Sequence, residues 1–378
     1  MDEFELIRTY FAASRAAQEG RAVTHEQALG IGDDAAVLAP LPQGQQLVVT
    51  TDSLVENRHY FSSVDPRALG HKALAVSLSD LAAMGATPWA FTLNLHLRSV
   101  RRPWLEDFSQ GMTELALAHG LSLVGGDTVS VQSEEAIVVT AMGLVPQGQA
   151  LSRQGLRLHD DLWVSGSLGD GAWALQHQPN AKKLNWPEPR LALGRALREQ
   201  GLAHAAIDIS DGLASELGHL LSCSARHANS YGLVAHIELK ALSQCLGPEL
   251  HQAVQKRALS LEEACLLAAC SGDEYELLFA SPPDTQQHVL ALAERLDVRL
   301  TRLGRLTSAD LPSAPAASSA SSASSASSAS SASLRPFASL MLSPSSIQWY
   351  GLDGRPLSLS EGALAGFNHF QQESPNDP

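Results

Sequence analysis

The chain has 378 residues, 44% of them hydrophobic, which is enough to fill the cores of two ordinary domains. Its net charge of −14 argues against nucleic acid as a partner, and it implies that an anionic nucleotide would be bound together with divalent cations. Cys223, Cys245, Cys265 and Cys270 show no C-x-x-C spacing, which disfavours structural zinc and a disulfide framework and favours a reducing compartment. The acidic start Met1-Asp2-Glu3-Phe4-Glu5 is unlike a signal peptide, and no apolar run reaches the roughly 18 residues of a membrane span. A soluble, cytoplasmic protein is expected, with no membrane partner.

Phe4, Ile7, Tyr10 and Phe11 recur at helical spacing and predict an amphipathic helix over 2–18. Gly30-Ile31-Gly32-Asp33-Asp34-Ala35 fits the letters of a dinucleotide fingerprint, but no strand precedes it and Pro40 follows too soon for a helix. Two aspartates there would repel a phosphate unless a cation stood between them, so they are either a solvated turn or metal ligands. A β-branched strand, Leu47-Val48-Val49-Thr50-Thr51-Asp52, comes next. Asp65-Pro66 then caps and starts a helix that stops at Gly85. Ala73, Val76, Ser77, Asp80 and Met84 share one face of that helix, where a carboxylate is costly unless paired or metal-bound. A helix over about 104–119, a short strand 121–124 ending at Gly125-Gly126-Asp127, and a strand 136–141 complete a first unit that closes near residue 148.

A similar grammar restarts with a strand over 162–165 that runs into the glycine-rich stretch Gly166 to Gly171. A helix at 187–200 leads to the strand Ala205-Ala206-Ile207-Asp208-Ile209, and Ser210 or Asp211 is the expected cap of the helix after it. Helix 260–270, strand 274–279, and one more helix and strand reach about 306. Residues 313–333 are almost pure Ala-Ser-Ser repeats, expected to form a flexible loop because they cannot repay the entropy of ordering. Residues 347–350 and 357–359 are expected to form a hairpin around Asp353-Gly354.

Asp34, Asp52, Asp127, Asp208 and Asp211 fall at strand ends or in glycine turns, and Asp80 projects from a helix. Singly, each reads as a turn or cap residue. Brought together without a cation, pairs about 4 Å apart would cost about 4 kcal/mol at an effective dielectric of 20. Mg²⁺ reverses that sign and prefers carboxylates plus substrate phosphates. The chain has no Walker lysine motif, protein-kinase set or EF-hand loop. The Gly166–Gly171 stretch reads as a strand–helix turn or a phosphate cradle. His59, close behind Asp52, is a surface residue or a ligand contact. Arg153 is a solvated linker charge or a phosphate contact.

Gly30-Ile-Gly-Asp-Asp34, Thr50-Thr-Asp52 with His59, Leu78-Ser-Asp-Leu-Ala-Ala-Met-Gly-Ala86, Gly125-Gly-Asp127 and Ala206-Ile-Asp-Ile-Ser-Asp-Gly212 occur in that order. This ordered set resembles the thiamine-monophosphate kinase family, within the aminoimidazole-ribonucleotide-synthetase-like superfamily, from residue 4 to about 306 and again around Gly366 to Phe370. The resemblance implies an α+β, two-domain PurM-like architecture. Residues 1–148 would be a metal- and ATP-binding domain that dimerises through its strands. Residues 149–378 would be a C-terminal domain with an Ala/Ser-rich insertion at about 312–335. It further implies transfer of the γ-phosphoryl group of ATP to thiamine phosphate, the last step to thiamine diphosphate, in a homodimer that uses several Mg²⁺ ions.

By the same resemblance, Asp34, Thr50, Thr51, Asp52, Asp80, Asp127, Asp208 and Asp211 match metal-binding positions. Gly126, Asp127, Arg153 and Ser210 match nucleotide contacts, and His59, Asp273 and Phe367 match contacts to thiamine phosphate. Asp52, Asp127 and Arg153 are the expected catalytic residues. The chain departs from the family's Gly-Glu-Asp-Tyr-Glu by reading Gly272-Asp273-Glu274-Tyr275-Glu276, so Glu274 is an alternative to Asp273. The acceptor is already an anionic nucleophile, so direct in-line transfer without a phosphoenzyme is expected. The rivals are a purine-pathway cyclo-ligase, a selenophosphate synthetase, which would want a cysteine ahead of Cys223, and a catalytically silent binding protein.

Overall fold

The computed structural model describes residues 3–12, 14, 29–177, 181–225, 232–308 and 346–357. A helical turn, Glu3–Leu6 (α1), continues as a π-helical stretch over Ile7–Ala12, which is the described part of the helix expected at 2–18. Strand β1 (Gln45–Val55) precedes α2 (Pro66–Ala83), whose N-cap Asp65 accepts from the Arg67 amide at 3.2 Å with proline at the first helical position, as its sequence dictates. Strand β2 (Thr87–Leu97), helix α3 (Arg102–His119), β3 (Ser122–Ser130) and β4 (Ala136–Pro146) follow. The four strands form one sheet in the order β1-β4-β2-β3, in which only β2 and β3 run parallel and α3 makes their crossover. The sequence reading passed over β2, which carries Pro88 near its start. It also ended β3 at Gly125, whereas the strand runs through Gly125, Gly126 and Asp127.

Strand β5 (Asp161–Ser165) leads through the glycine-rich turn into α4 (Asp170–His177), and α5 (Lys182–Asn185) and α6 (Leu191–Glu199) come next. Strand β6 (Ala205–Asp208), helix α7 (Leu213–Ser224), β7 (Leu233–Glu238), α8 (Leu239–Leu242) and α9 (Pro248–Gln255) then lead to α10 (Leu261–Cys270), which opens with a Ser260/Glu263 capping box. Strand β8 (Leu277–Ser281), α11 (Gln286–Leu296), β9 (Leu300–Ser308) and β10 (Ile347–Tyr350) complete a six-stranded sheet in the order β10-β7-β9-β5-β8-β6. Strand β10 pairs parallel to β7 and makes one bridge, Tyr350 to Pro356, toward the expected hairpin. The rest of that hairpin, the Ala-Ser repeat and Phe367 lie outside the described residues. All four cysteines are free.

Helix α2 has no polar stripe: fourteen of its eighteen residues are buried. It contacts β1 and β4 on one side, β6 on another, and α3 and α6 besides, so it lies between the two sheets. The crossing with α3 is close enough that a Cβ on Gly70 would stand 2.0 Å from the Phe108 carbonyl oxygen, and one on Gly111 would stand 1.9 Å from that of Arg67. Strand alternation divides the six-stranded sheet. Trp163, Ala206, Leu277 and Phe279 join the core around α2, and Leu162, Val164, Ile207 and Leu278 join a second core under α7 and α10. One face of the four-stranded sheet is left open. Leu47 and Val49 are 43% and 57% exposed there, and among the described residues the segment around Ala36 and Leu38 packs against one end of it.

Candidate active site

Period-2 alternation decides which side chains reach α2. On β1, Thr50 and Asp52 turn inward, and Thr51 and Ser53 turn to the open face. Thr50 Oγ1 donates a short hydrogen bond to Asp80 Oδ2, and Ser77 Oγ donates to Asp52 Oδ2 at 2.7 Å. On β6, Asp208 shares the face of Ala206, toward α2, where Ser79 Oγ donates to its Oδ2 at 2.8 Å. The three carboxylates thus converge from two sheets on one helix, each holding a hydroxyl. With Ser210, Asp211, His59 and Asp273 they line a cleft of about 430 Å³, whose apolar wall includes Val76, Ala172, Leu175 and Tyr275.

This arrangement is electrostatically uncomfortable. Burial, with the Asp80 charge second and opposed by the Ser77 hydrogen bond, pushes the Asp52 carboxyl up to about 6. Asp208, 4% exposed, is raised by burial first and by Asp80 next, and Ser79 and Arg153 oppose the shift. Glu216, which the sequence reading missed, is pushed up to about 7, chiefly by burial. It does the capping expected of Ser210 or Asp211. Gly212 is the N-cap of α7 and makes no side-chain cap bond, while Glu216 Oε1 reaches back to the Asp211 amide at 3.2 Å and to Ser210 Oγ at 3.4 Å.

Residues 271–276 pack alongside the Asp208–Asp211 loop. The Asp273 amide donates to the Ser210 carbonyl and the Tyr275 amide to that of Ile209, both at 2.8 Å. Asp273 faces the cleft. Glu274 points away from it: 1% exposed, its Oε1 accepts from the Gly169 and Gly171 amides at 2.7 and 3.2 Å and from Ser271 Oγ at 2.5 Å. The alternative of Glu274 as the substrate contact is therefore removed, and the glycine-rich turn cradles an internal carboxylate. Glu276 beside it is driven up by burial but held down to about 2 by Lys183, Arg190 and Ser165. On the opposite wall, His59 Nδ1 accepts from the Val55 amide at 2.9 Å. Its loop is anchored by buried Glu56, whose amide donates to the Glu135 carbonyl at 2.9 Å and whose carboxylate pairs with Arg98.

The eight expected metal positions do not all meet in one chain. Asp34 and Asp127 line a separate cavity of about 560 Å³, together with Gly30, Gly32 and Gly126. Asp127 sits on edge strand β3 and Asp52 on edge strand β1, three strand spacings or about 14 Å apart. They also occupy alternate rungs. Asp52 aligns with the buried Val139 and Leu93, and Asp127 aligns with Asn94, Val138 and Ser53 on the open side. Thr51 Oγ1 meets Thr140 Oγ1 at 3.1 Å on that open face, away from Asp80. Ser152 accepts from the Ala206 amide at 3.0 Å, which brings Arg153 alongside β6, near enough for its charge to act on Asp208 and Glu216. Among the described residues no three His, Cys, Asp or Glu side chains are gathered closely enough to hold an ion by themselves.

A carboxyl raised in the folded state binds protons more readily folded than unfolded, so stability falls as pH rises through the interval between its ordinary and raised values. Asp52, Asp208 and Glu216 share that sign. Without divalent cations, stability in urea should fall from about pH 4 to about pH 8. Asp52→Asn should raise it at neutral pH by about 1–3 kcal/mol. A less stable Asp52→Asn protein would contradict this electrostatic account.

Residues 32–145 match the family model described as AIR synthase related protein, N-terminal domain. The thiamine-monophosphate kinase of Escherichia coli (strain K12) is 36% identical over 319 residues, covering 81% of this chain and 90% of the relative. The crystal structure of thiamine-monophosphate kinase from Stenotrophomonas maltophilia K279a superposes with TM-score 0.66 at 40% identity, covering 74% of this chain and 88% of that one. AaThiL complexed with AMPPCP and TMP superposes with TM-score 0.59 at 27% identity, covering 74% and 86%. The likeness to the first relative spans most of both chains, and the family-model match takes in Asp52 and Asp80. The chain belongs to the thiamine-monophosphate kinase family.

Proposed function

We propose that this protein transfers the γ-phosphoryl group of ATP to thiamine phosphate, giving thiamine diphosphate and ADP by direct in-line displacement with Mg²⁺. The observation that carries this reading is the convergence of Asp52, Asp80 and Asp208 in a cleft lined from both sheets. An oxygen of the acceptor phosphate forms the new bond to γ-phosphorus, the bond from γ-phosphorus to the bridging oxygen breaks, and ADP takes that oxygen's electrons. No general base is needed, since the acceptor oxygen is already anionic. The protein's part is positioning.

The donor set suits a hard cation. Its proposed ligands are carboxylates and a hydroxyl, and its charge cluster is raised in pKa in a way that a cation would relieve. Asp52, Asp80, Asp208, Asp211 and Thr50 would hold Mg²⁺ at the cleft, with Asp34 and Asp127 at the second cavity. When bound, the ions neutralise charge on the moving phosphoryl group. Because the protein ligands are not gathered three to a point, water and substrate oxygens must complete each shell. His59 and Asp273 would orient the thiamine phosphate against Val76, Leu175 and Tyr275, and Arg153 would meet phosphate oxygens.

We further propose a homodimer through the open face of the four-stranded sheet, with residues 1–148 and 149–378 as its two domains. The exposed Leu47 and Val49 support this. So does the separation, within one chain, of Gly126 and Asp127 from Arg153 and Ser210, because one nucleotide cannot readily use both groups unless a second chain completes its site. The reading carries a cytoplasmic location with it; among the described residues, no helix is long and apolar enough to cross a membrane.

Purified protein should form ADP and thiamine diphosphate from ATP and thiamine phosphate only with Mg²⁺. Asp52→Asn and Asp127→Asn should each lose at least about a hundredfold in turnover while remaining folded. Absence of product from the wild type removes the reading, and trapped phosphoprotein after brief exposure to labelled ATP removes the in-line step. In sedimentation the wild type should run as a dimer and Val49→Asp as a monomer. A wild-type monomer at assay concentrations would contradict the shared site.

A further inference from the structure

Lys72 is the one cation in the buried body of α2, and its side chain is 2% exposed. A lysine so placed is costly unless paired, and a leucine would fill the same volume without that penalty. Its ammonium donates to the His59 carbonyl oxygen at 3.3 Å and pairs with Asp273 Oδ1, also at 3.3 Å. The Tyr275 hydroxyl reaches the same oxygen at 2.8 Å. Lys72, Val76 and Asp80 follow one another at four-residue steps along one face of α2, which puts the Lys72 backbone about 12 Å along the helix axis from that of Asp80. Val76 and Asp80 line the cleft, and Lys72 forms the floor of a small adjoining cavity beside His59.

Of the two groups that Lys72 holds, one is on the loop after β1 and the other on the loop before β8. Asp273 has positive φ (58°), a backbone conformation that an aspartate keeps only when its surroundings hold it there. We propose that Lys72 is the positioning residue for the organic end of the acceptor: it ties the His59 loop to the Asp273 carboxylate across the two sheets and so fixes the walls between which a cationic heterocycle sits. This rests on the kinase reading above. The thiazolium ring carries a fixed positive charge, and its complement is a carboxylate held in place rather than one free to swing. The contacts of Lys72 are to His59 and Asp273 and to none of the residues assigned to metal or nucleotide, so its effect belongs to acceptor binding and not to the chemical step.

The test is Lys72→Met, which keeps the side-chain stem and removes the charge, measured beside Asp273→Asn and the double variant. Thiamine phosphate affinity is read by calorimetry and as KM. The expected result is a loss of about tenfold or more in Kd and KM for thiamine phosphate, with kcat and the KM for ATP within about twofold, and a double variant little worse than Asp273→Asn alone. Unchanged affinity overturns the proposal, as does a lower melting temperature with a lower kcat and a raised KM for both substrates, which is what a purely structural lysine would give. Lys72→Gln takes the place of a methionine variant that does not fold, with the same outcomes. A wild type that binds thiamine phosphate without turning it over contradicts the kinase reading, and the Kd comparison still decides the role of Lys72. A wild type that does neither overturns both.

Discussion

Three carboxylates set against one buried helix are the constraint from which the rest of the site follows. Asp52 comes from one sheet, Asp208 from the other, and Asp80 from α2 between them. Each keeps a hydroxyl partner, which offsets part of the desolvation but none of the mutual repulsion. Proteins that maximise stability alone do not build such a cluster. Its presence makes sense if cations and phosphates spend part of the catalytic cycle there, since they convert the repulsion into ligand binding. Fold and chemistry are linked through α2, because a helix packed on all sides can hold side chains from two sheets in fixed register.

The second half of the chain manages its buried acids differently. Glu276 is matched by Lys183 and Arg190, and it stays ionised well below the usual carboxylate range although burial opposes this. Glu274 is met by the amides of the glycine-rich turn, yet burial still pushes it up to about 7. Both are structural acids with built-in donors. Asp52 and Asp208, by contrast, have hydroxyls and, among the described residues, no cation in direct contact. That difference in partnering, rather than depth of burial, separates the site from the scaffold.

Much of this was legible in the sequence. Asp80 stood out because a carboxylate on an apolar helical face demands a partner, and Asp65-Pro66 fixed where that helix begins. Alternation along Thr50-Thr51-Asp52 was visible too, although which face met α2 depends on pairing with β4, a contact 88 residues away in sequence. What escaped depended on long-range placement. Thr87–Leu97 hid its strand behind a proline, Glu216 acts by reaching back a turn, and Glu274, the alternative to Asp273, is turned inward by the 271–276 loop. The motifs placed Asp34 and Asp127 beside Asp52, but sheet order puts Asp52 and Asp127 at opposite edges. Strand order is set by packing and cannot be read from local pattern.

The most direct measurement is a crystal structure with Mn²⁺ in place of Mg²⁺, a non-hydrolysable ATP analogue and thiamine phosphate, with anomalous scattering recorded at the manganese edge. The account predicts anomalous peaks bounded by Asp52, Asp80 and Asp208, with phosphate oxygens completing the shells and the Ser77, Thr50 and Ser79 hydroxyls displaced or shared. Ordered nucleotide and thiamine phosphate with no anomalous density among those three carboxylates would contradict it.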